Sequence, residues 1–156
     1  MNVNIGLSDQ SRSGVMQLLN ALLADEHVLY IKTRNYHWNI TGPQFNDLHK
    51  FFESQYDQIE ASIDEIAERI RSLGGKSPGT MTEFLKLARI KEAPGEHPNA
   101  RSMVAMLLTD HEAIIRHLRS DLVSCGEKFG DAGTNDFLTG LLESHEKMAW
   151  MLRAFI

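Results

Sequence analysis

Apolar residues recur every three, four or seven positions along most of this chain, and they fall into four blocks. In the first, Val15, Leu18, Leu19, Leu22, Leu23, Leu29 and Ile31 predict a helix from Ser8, a suitable N-cap, to about Asn39. Gly14 slightly weakens its opening turns. Gly42-Pro43 marks a short turn, with Pro43 suited to the first turn of the next helix. The second block is the most regular. Phe45, Leu48, Phe52, Ile59, Ile63, Ile66, Ile70 and Leu73, with Tyr56 filling the gap, predict one amphipathic helix of about eight turns. Gly74-Gly75 ends it. Residues 74–98 break the pattern with Gly, Pro and Lys. Within them Thr80 and Glu83 form a capping-box signature ahead of Phe84 and Leu85, which predicts a short helix over about 81–89. Asn99 opens a third long helix, with Met103, Met106, Leu107, Ile114, Leu118 and Leu122 facing inward. A Gly-containing loop at 126–133 then leads to a fourth, capped by Thr134 and buried through Phe137, Leu138, Leu141, Met148, Leu152 and Phe155.

No segment alternates as a strand does, and no internal repeat is present. Two short connections and one of about 25 residues predict an all-α fold with the connectivity of a ferritin-like four-helix bundle. The long crossover joins the second and third long helices and carries the short extra helix. At 156 residues the whole chain, 1–156, reads as a single domain. A bundle by itself implies no activity.

Composition narrows the classes. No apolar run approaches the roughly 20 residues needed to cross a bilayer, and residues 1–14 do not resemble a signal peptide. One cysteine, Cys125, excludes an internal disulfide framework and a cysteine-built zinc site. The expected location is the cytoplasm, free or associated with the nucleoid. Sixteen basic against twenty-one acidic residues leave a formal charge of -5, which argues against nucleic-acid binding by bulk charge. Acidic chains do attract cations, and seven histidines direct attention to metals.

The polar face of the second long helix carries that chemistry. His49 and Glu53 are four apart and project from one patch; Asp64 and Glu68 repeat the spacing. All four lie within about 100° of one face. His37, near the end of the first helix, lies next to the turn and could fold back towards the start of the second helix. Imidazole and carboxylate suit Fe(II), and also Zn(II) or Mn(II). Positions 49 and 64 are about 22 Å apart along a helix, too far to share one ion. Two copies of the helix, antiparallel about a two-fold axis near its middle, remove the conflict. His49 and Glu53 of one copy would then face Asp64 and Glu68 of the other, giving two sites per dimer. An isolated pair of this kind ordinarily sits solvated on a surface. Asp64 and Glu68 repel each other there, and a bound cation reverses that sign. There is no Glu-x-x-His in the chain, so an intrachain di-iron centre is not expected.

The residues Asn35-Tyr36-His37-Trp38-Asn39, Gly42-Pro43-Gln44-Phe45, Leu48-His49, Phe52-Glu53 and Asp64-Glu65-Ile66-Ala67-Glu68-Arg69-Ile70 resemble the Dps family, the miniature ferritins or DNA-binding proteins from starved cells. The likeness spans the chain, down to Trp150-Met151-Leu152-Arg153-Ala154-Phe155. It implies iron ligands at His37, His49, Glu53, Asp64 and Glu68, the first three from one subunit and the last two from its two-fold mate. Many members have Asp where this chain has Glu53. The resemblance further implies a hollow homo-dodecamer that takes Fe(II) through acidic three-fold pores. It would oxidise the iron with hydrogen peroxide in preference to dioxygen and store ferric mineral, protecting against oxidative damage. Zn(II) is a possible competitor for the site.

Other residues draw expectations of their own. Trp38 is a candidate electron donor beside His37, or simply an interface packer. Asp131 and Asp136, near the turn before the fourth helix along with Asp121, are pore candidates. His27, His111, His117 and His145 read as hydrogen-bonded or surface histidines, and Met103, Met106, Met148 and Met151 as core filler. Residues 1–14 contain one Arg and no Lys, unlike the lysine-rich tails of family members that bind DNA directly. Strong DNA binding is therefore not expected. The competing functions are an iron-oxidising store, a DNA-compacting stress protein with incidental metal sites, and a plain helical assembly.

Overall fold

Three of the four long helices start on a side chain that satisfies a free amide; the second, with Gln44 at its N-cap, does not. The Ser8 hydroxyl accepts from the Ser11 amide at 3.0 Å and the Asn99 side chain accepts from Ser102 at 2.9 Å. The computed structural model describes residues 3–156, and the elements in them are helical. They are α1 (Asp9–Asn39), α2 (Phe45–Ser72), α3 (Met81–Leu87), α4 (Ala100–Val123) and α5 (Ala132–Arg153). α1 packs mainly on α2 and α4 mainly on α5, with α3 lying against α1. The crossover from α2 to α4 joins the two pairs and contains α3, as the periodicity predicts.

Phe52, Ile59, Ile66 and Ile70 of α2, with Leu73 just after it, are fully buried in one core with Leu19, Leu22, Leu23 and Leu29 of α1. Each such side chain contributes about 1.5–3 kcal/mol by leaving water. The polar face of α2 stays outside the core. Two members of the apolar stripes, Ile31 and Phe45, are instead exposed. Gly74 follows α2 at φ +91°, a conformation that favours glycine, and so ends the helix as expected. Gly14 has a job beyond propensity. A Cβ there would meet the Phe129 ring at 2.2 Å, so its absence lets the α4–α5 turn seat on α1.

Four local expectations are corrected. Pro43 lies in the turn before α2, which begins at Phe45 with Gln44 as N-cap. α3 ends at Leu87 and does not reach 89, because the Arg89 and Ile90 amides turn away to the Asp25 carboxylate at 2.5 and 3.3 Å. The Thr80–Glu83 capping box itself is formed. The expected loop at 126–133 starts as a π turn over Ser124–Lys128, with the Phe129 amide donating to the Ser124 carbonyl. Finally, α5 is capped by Asp131 and not by Thr134: the Asp131 carboxylate accepts from the Thr134 amide at 2.9 Å and hydroxyl at 2.5 Å.

Candidate metal centre

The end of α1 and the start of α2 run antiparallel across the Gly42 turn, which brings His37 against His49. Their rings stack at 3.8 Å with planes 20° apart. Each ring bonds the other's main chain: His37 Nδ1 lies 2.7 Å from the His49 carbonyl, and His49 Nδ1 lies 2.9 Å from the His37 carbonyl. A carbonyl oxygen only accepts, so both Nδ1 atoms carry the hydrogen. In the neutral rings both Nε2 atoms then keep a free lone pair, one of the two ring positions that can bind a metal. His37 is buried and His49 half-buried, which holds the rings in place.

Glu53 is exposed one turn beyond His49. Tyr56 lies edge-on to the His37 ring at 5.2 Å, with its hydroxyl 3.5 Å from Glu53 Oε1. Burial, then the charges of Glu53 and Asp57, raise the Tyr56 phenol above its ordinary range. The Arg34 guanidinium lies over the Tyr56 and Trp38 rings at 4.9 and 5.2 Å and donates to the Tyr30 hydroxyl at 2.5 Å. Trp38 itself is 63% exposed. Periodicity read Tyr56 as part of the apolar stripe and passed over Arg34. The i, i+4 spacing of Tyr30 to Arg34 was the available signal.

The structure thus brings His37 and His49 together at one end of the α2 face, with Glu53 one helical turn further along it. Asp64 and Glu68 lie exposed on the same face, about four to five turns beyond His49. Asp64 borders a shallow shelf with His27, Asp57, Glu60 and Phe84. Among the described residues, no three His, Cys, Asp or Glu side chains converge within the chain to hold a metal. An ion held by Asp64 and Glu68 together with the histidines would have to bridge two copies.

The two pore candidates differ. Asp136 is exposed, whereas Asp131 is buried beneath the α5 cap and paired with Arg69 at 3.1 Å. Asp121 is likewise buried and paired, with Arg89 at 2.8 Å. Cys125 is buried, and desolvation, with Asp131 and Asp121 nearby, pushes its thiol up to about 11, which makes it unreactive.

A four-helix bundle with a histidine–carboxylate face of this kind defines a class, and comparison with known proteins agrees. The ferritin-like domain family matches residues 16–156. A low temperature-induced protein of Nostoc is 53% identical over 154 residues, covering 99% of this chain and 86% of that protein. DNA protection during starvation protein 2 of Bacillus anthracis is 42% identical over 143 residues, covering 91% of this chain and 96% of that protein. The crystal structure of the Dps protein of Vibrio cholerae, described as one of the ferritin-like diiron-carboxylate proteins, superposes with a TM-score of 0.91 at 35% identity. That match covers 99% of this chain and 97% of that one. The chain belongs to the Dps family of ferritin-like proteins. No helix among the described residues is long and apolar enough to cross a membrane.

Proposed function

We propose that the protein is a ferroxidase and iron store whose oxidation sites lie between two copies of the chain. The carrying observation is the reciprocal His37–His49 arrangement, which turns both Nδ1 atoms to main-chain carbonyls and leaves both Nε2 atoms uncommitted, with Glu53 one helical turn along α2 from His49. Antiparallel pairing of two α2 helices would set His49 opposite Glu68 and Glu53 opposite Asp64 of the second copy. Two imidazoles and three carboxylates then surround Fe(II), the substrate. The hard oxygen donors stabilise Fe(III) over Fe(II) and so favour oxidation. Two Fe(II) give up two electrons. One hydrogen peroxide takes them with two protons and becomes two waters, with no one-electron step that would release hydroxyl radical. Dioxygen is the slower oxidant in this reading. The cage is a dodecamer of two-fold dimers in which ferric mineral collects, in the cytoplasm, with Zn(II) able to compete for the ligands. Trp38 is the candidate electron donor beside the site, and exposed Asp136 the better placed of the two pore candidates.

The test is anaerobic Fe(II) loading followed by peroxide, with ferric absorbance followed in wild type and in His49→Ala. Oxidation at about two irons per peroxide, reduced by at least ~100-fold in the variant, is the expected result. Wild-type oxidation no faster than in protein-free buffer would remove the enzyme reading.

DNA compaction is the second reading, and it is the one that the relatives named for DNA protection invite. Electrostatics oppose it here. Twelve chains at -5 each carry -60, and phosphate is repelled at neutral pH. A mobility-shift titration with metal-free protein at pH 7.5 is expected to show no complex at moderate salt. A complex that dissolves as salt rises would favour the DNA reading.

A further inference from the structure

Deep in the bundle, away from the α2 face, a glutamate and two histidines from three helices form a chain. Glu26 of α1, His145 of α5 and His111 of α4 are each 0–1% exposed. His145 Nε2 lies 2.7 Å from Glu26 Oε1, and His145 Nδ1 lies 2.9 Å from His111 Nδ1. Glu26 Oε2 and His111 Nε2 have no hydrogen-bond partner. The composition suits a metal, but the geometry does not. A metal needs lone pairs converging on one point about 2 Å from each donor. Here the two nitrogens of His145 are turned to different partners, and the donors lie in a line.

A line of this kind organises protons. Two ring nitrogens facing each other at 2.9 Å need one hydrogen between them. With both rings neutral, His145 donates from Nε2 to Glu26 and accepts at Nδ1 from His111. One added proton fits with no heavy-atom movement: His145 then donates from both nitrogens, and the hydrogen of His111 moves to its Nε2. A second added proton places N–H groups on both facing nitrogens, and the contact must open.

The other charges nearby are committed elsewhere. On α1, Asp25 pairs with Arg89 of the crossover, and Lys32 pairs with Asp110 of α4 at 2.6 Å. Asp121 of α4 also holds Arg89. His117, on α4 near that cluster, is lowered by its partial burial and by Arg89. Glu146, next to His145 on α5, is exposed and paired with Arg119. From α2 the buried polar group is Gln55, an uncharged amide that donates to the Met148 carbonyl at 3.2 Å.

We infer that Glu26, His145 and His111 form a buried proton site that ties α1, α4 and α5 together while a single hydrogen lies between the two rings, and that frees this contact when a further proton reaches His111. Burial, and then the neighbouring His145, hold His111 well below the ordinary imidazole range, so it stays neutral in the folded chain. Once unfolded, it takes up a proton below about pH 6.5. The unfolded state therefore binds more protons, and stability falls as the pH drops through 6.5. This inference stands apart from the ferroxidase reading.

Denaturant unfolding of the assembled protein between pH 5 and 8 tests it, in wild type and His111→Gln, which keeps one hydrogen bond to His145 but does not titrate. Below pH 6.5 the wild-type unfolding constant is expected to climb about tenfold more per pH unit than that of the variant. Equal slopes would overturn the proposal. Histidine hydrogen–deuterium exchange in the unmutated protein, read by mass spectrometry, provides a second check should the variant fail to fold. No exchange midpoint is expected at His111 between pH 6 and 7, and an ordinary midpoint near 6.5 overturns the assignment. Zn(II) titrated into His49→Ala is expected to find no site that His111→Gln removes; stoichiometric uptake lost with His111 would make this a metal site instead.

Discussion

Two variants expected to be inactive, His49→Ala and Asp64→Asn, are expected to regain iron oxidation when they are produced together in one cell. Each alone loses at least ~100-fold, since each removes a proposed ligand from both sites of a dimer. A mixed dimer behaves differently. One of its sites carries both substitutions, and the other draws His49 from the Asp64 variant and Asp64 from the His49 variant, so it is intact. With random pairing, half the dimers are mixed and half of their sites are whole, so about one quarter of wild-type activity returns. Peroxide-driven ferric absorbance on the purified mixture reads this directly. Activity no higher than in either parent would mean that the ligands are not shared between copies. The physical basis is the length of α2: about 22 Å separates His49 from Asp64 along one helix, and the proposed antiparallel pairing of two helices would bring both ends of the stripe together.

Arg89→Ala is expected to produce the largest loss of stability. Asp25, fully buried on α1, accepts from the Arg89 side chain at 2.7 Å and from the Arg89 and Ile90 amides. Asp121 on α4 accepts from the other arm of the same guanidinium at 2.8 Å. Removing that cation leaves two buried carboxylates without a counter-charge, an error that costs about 3–5 kcal/mol. For a chain of this size the unfolding midpoint would fall by roughly 6–20 °C. Arg89→Lys restores the charge without the fork and should fall in between. Thermal unfolding followed by circular dichroism measures all three proteins. A drop below about 1 kcal/mol would mean that water reaches the carboxylates and the cluster is not a structural tie.

That cluster marks where reading the chain alone stops. The Leu22-Leu23 and Val28-Leu29 pairs announce a buried helical stripe, and Asp25-Glu26 sits inside it as a pair of charges that periodicity cannot explain. A partner for Asp25 arrives from 64 residues away, through a crossover whose path has no periodic signature. The partner for Glu26 comes from 119 residues away on α5. His27, His111, His117 and His145 look alike as text, each a hydrogen-bonded or surface group, yet His111 and His145 are core and His27 stacks at 3.7 Å on Phe84 of α3. Likewise Asp131 and Asp136 look equivalent as text. Only the fold makes one a buried cap held by Arg69 and leaves the other exposed.

By itself the sequence determined the four long helices, the capping box in the crossover and the spacing of His37, His49, Glu53, Asp64 and Glu68. These follow from 3.6-residue periodicity and from side chains that act within a turn or two of their own position. Tertiary structure decided which histidine tautomers are available, which aspartates are spent on caps and ion pairs, and which charges lie in the core. Each of those depends on atoms brought within 3 Å by helix packing, across chain separations that no local pattern encodes.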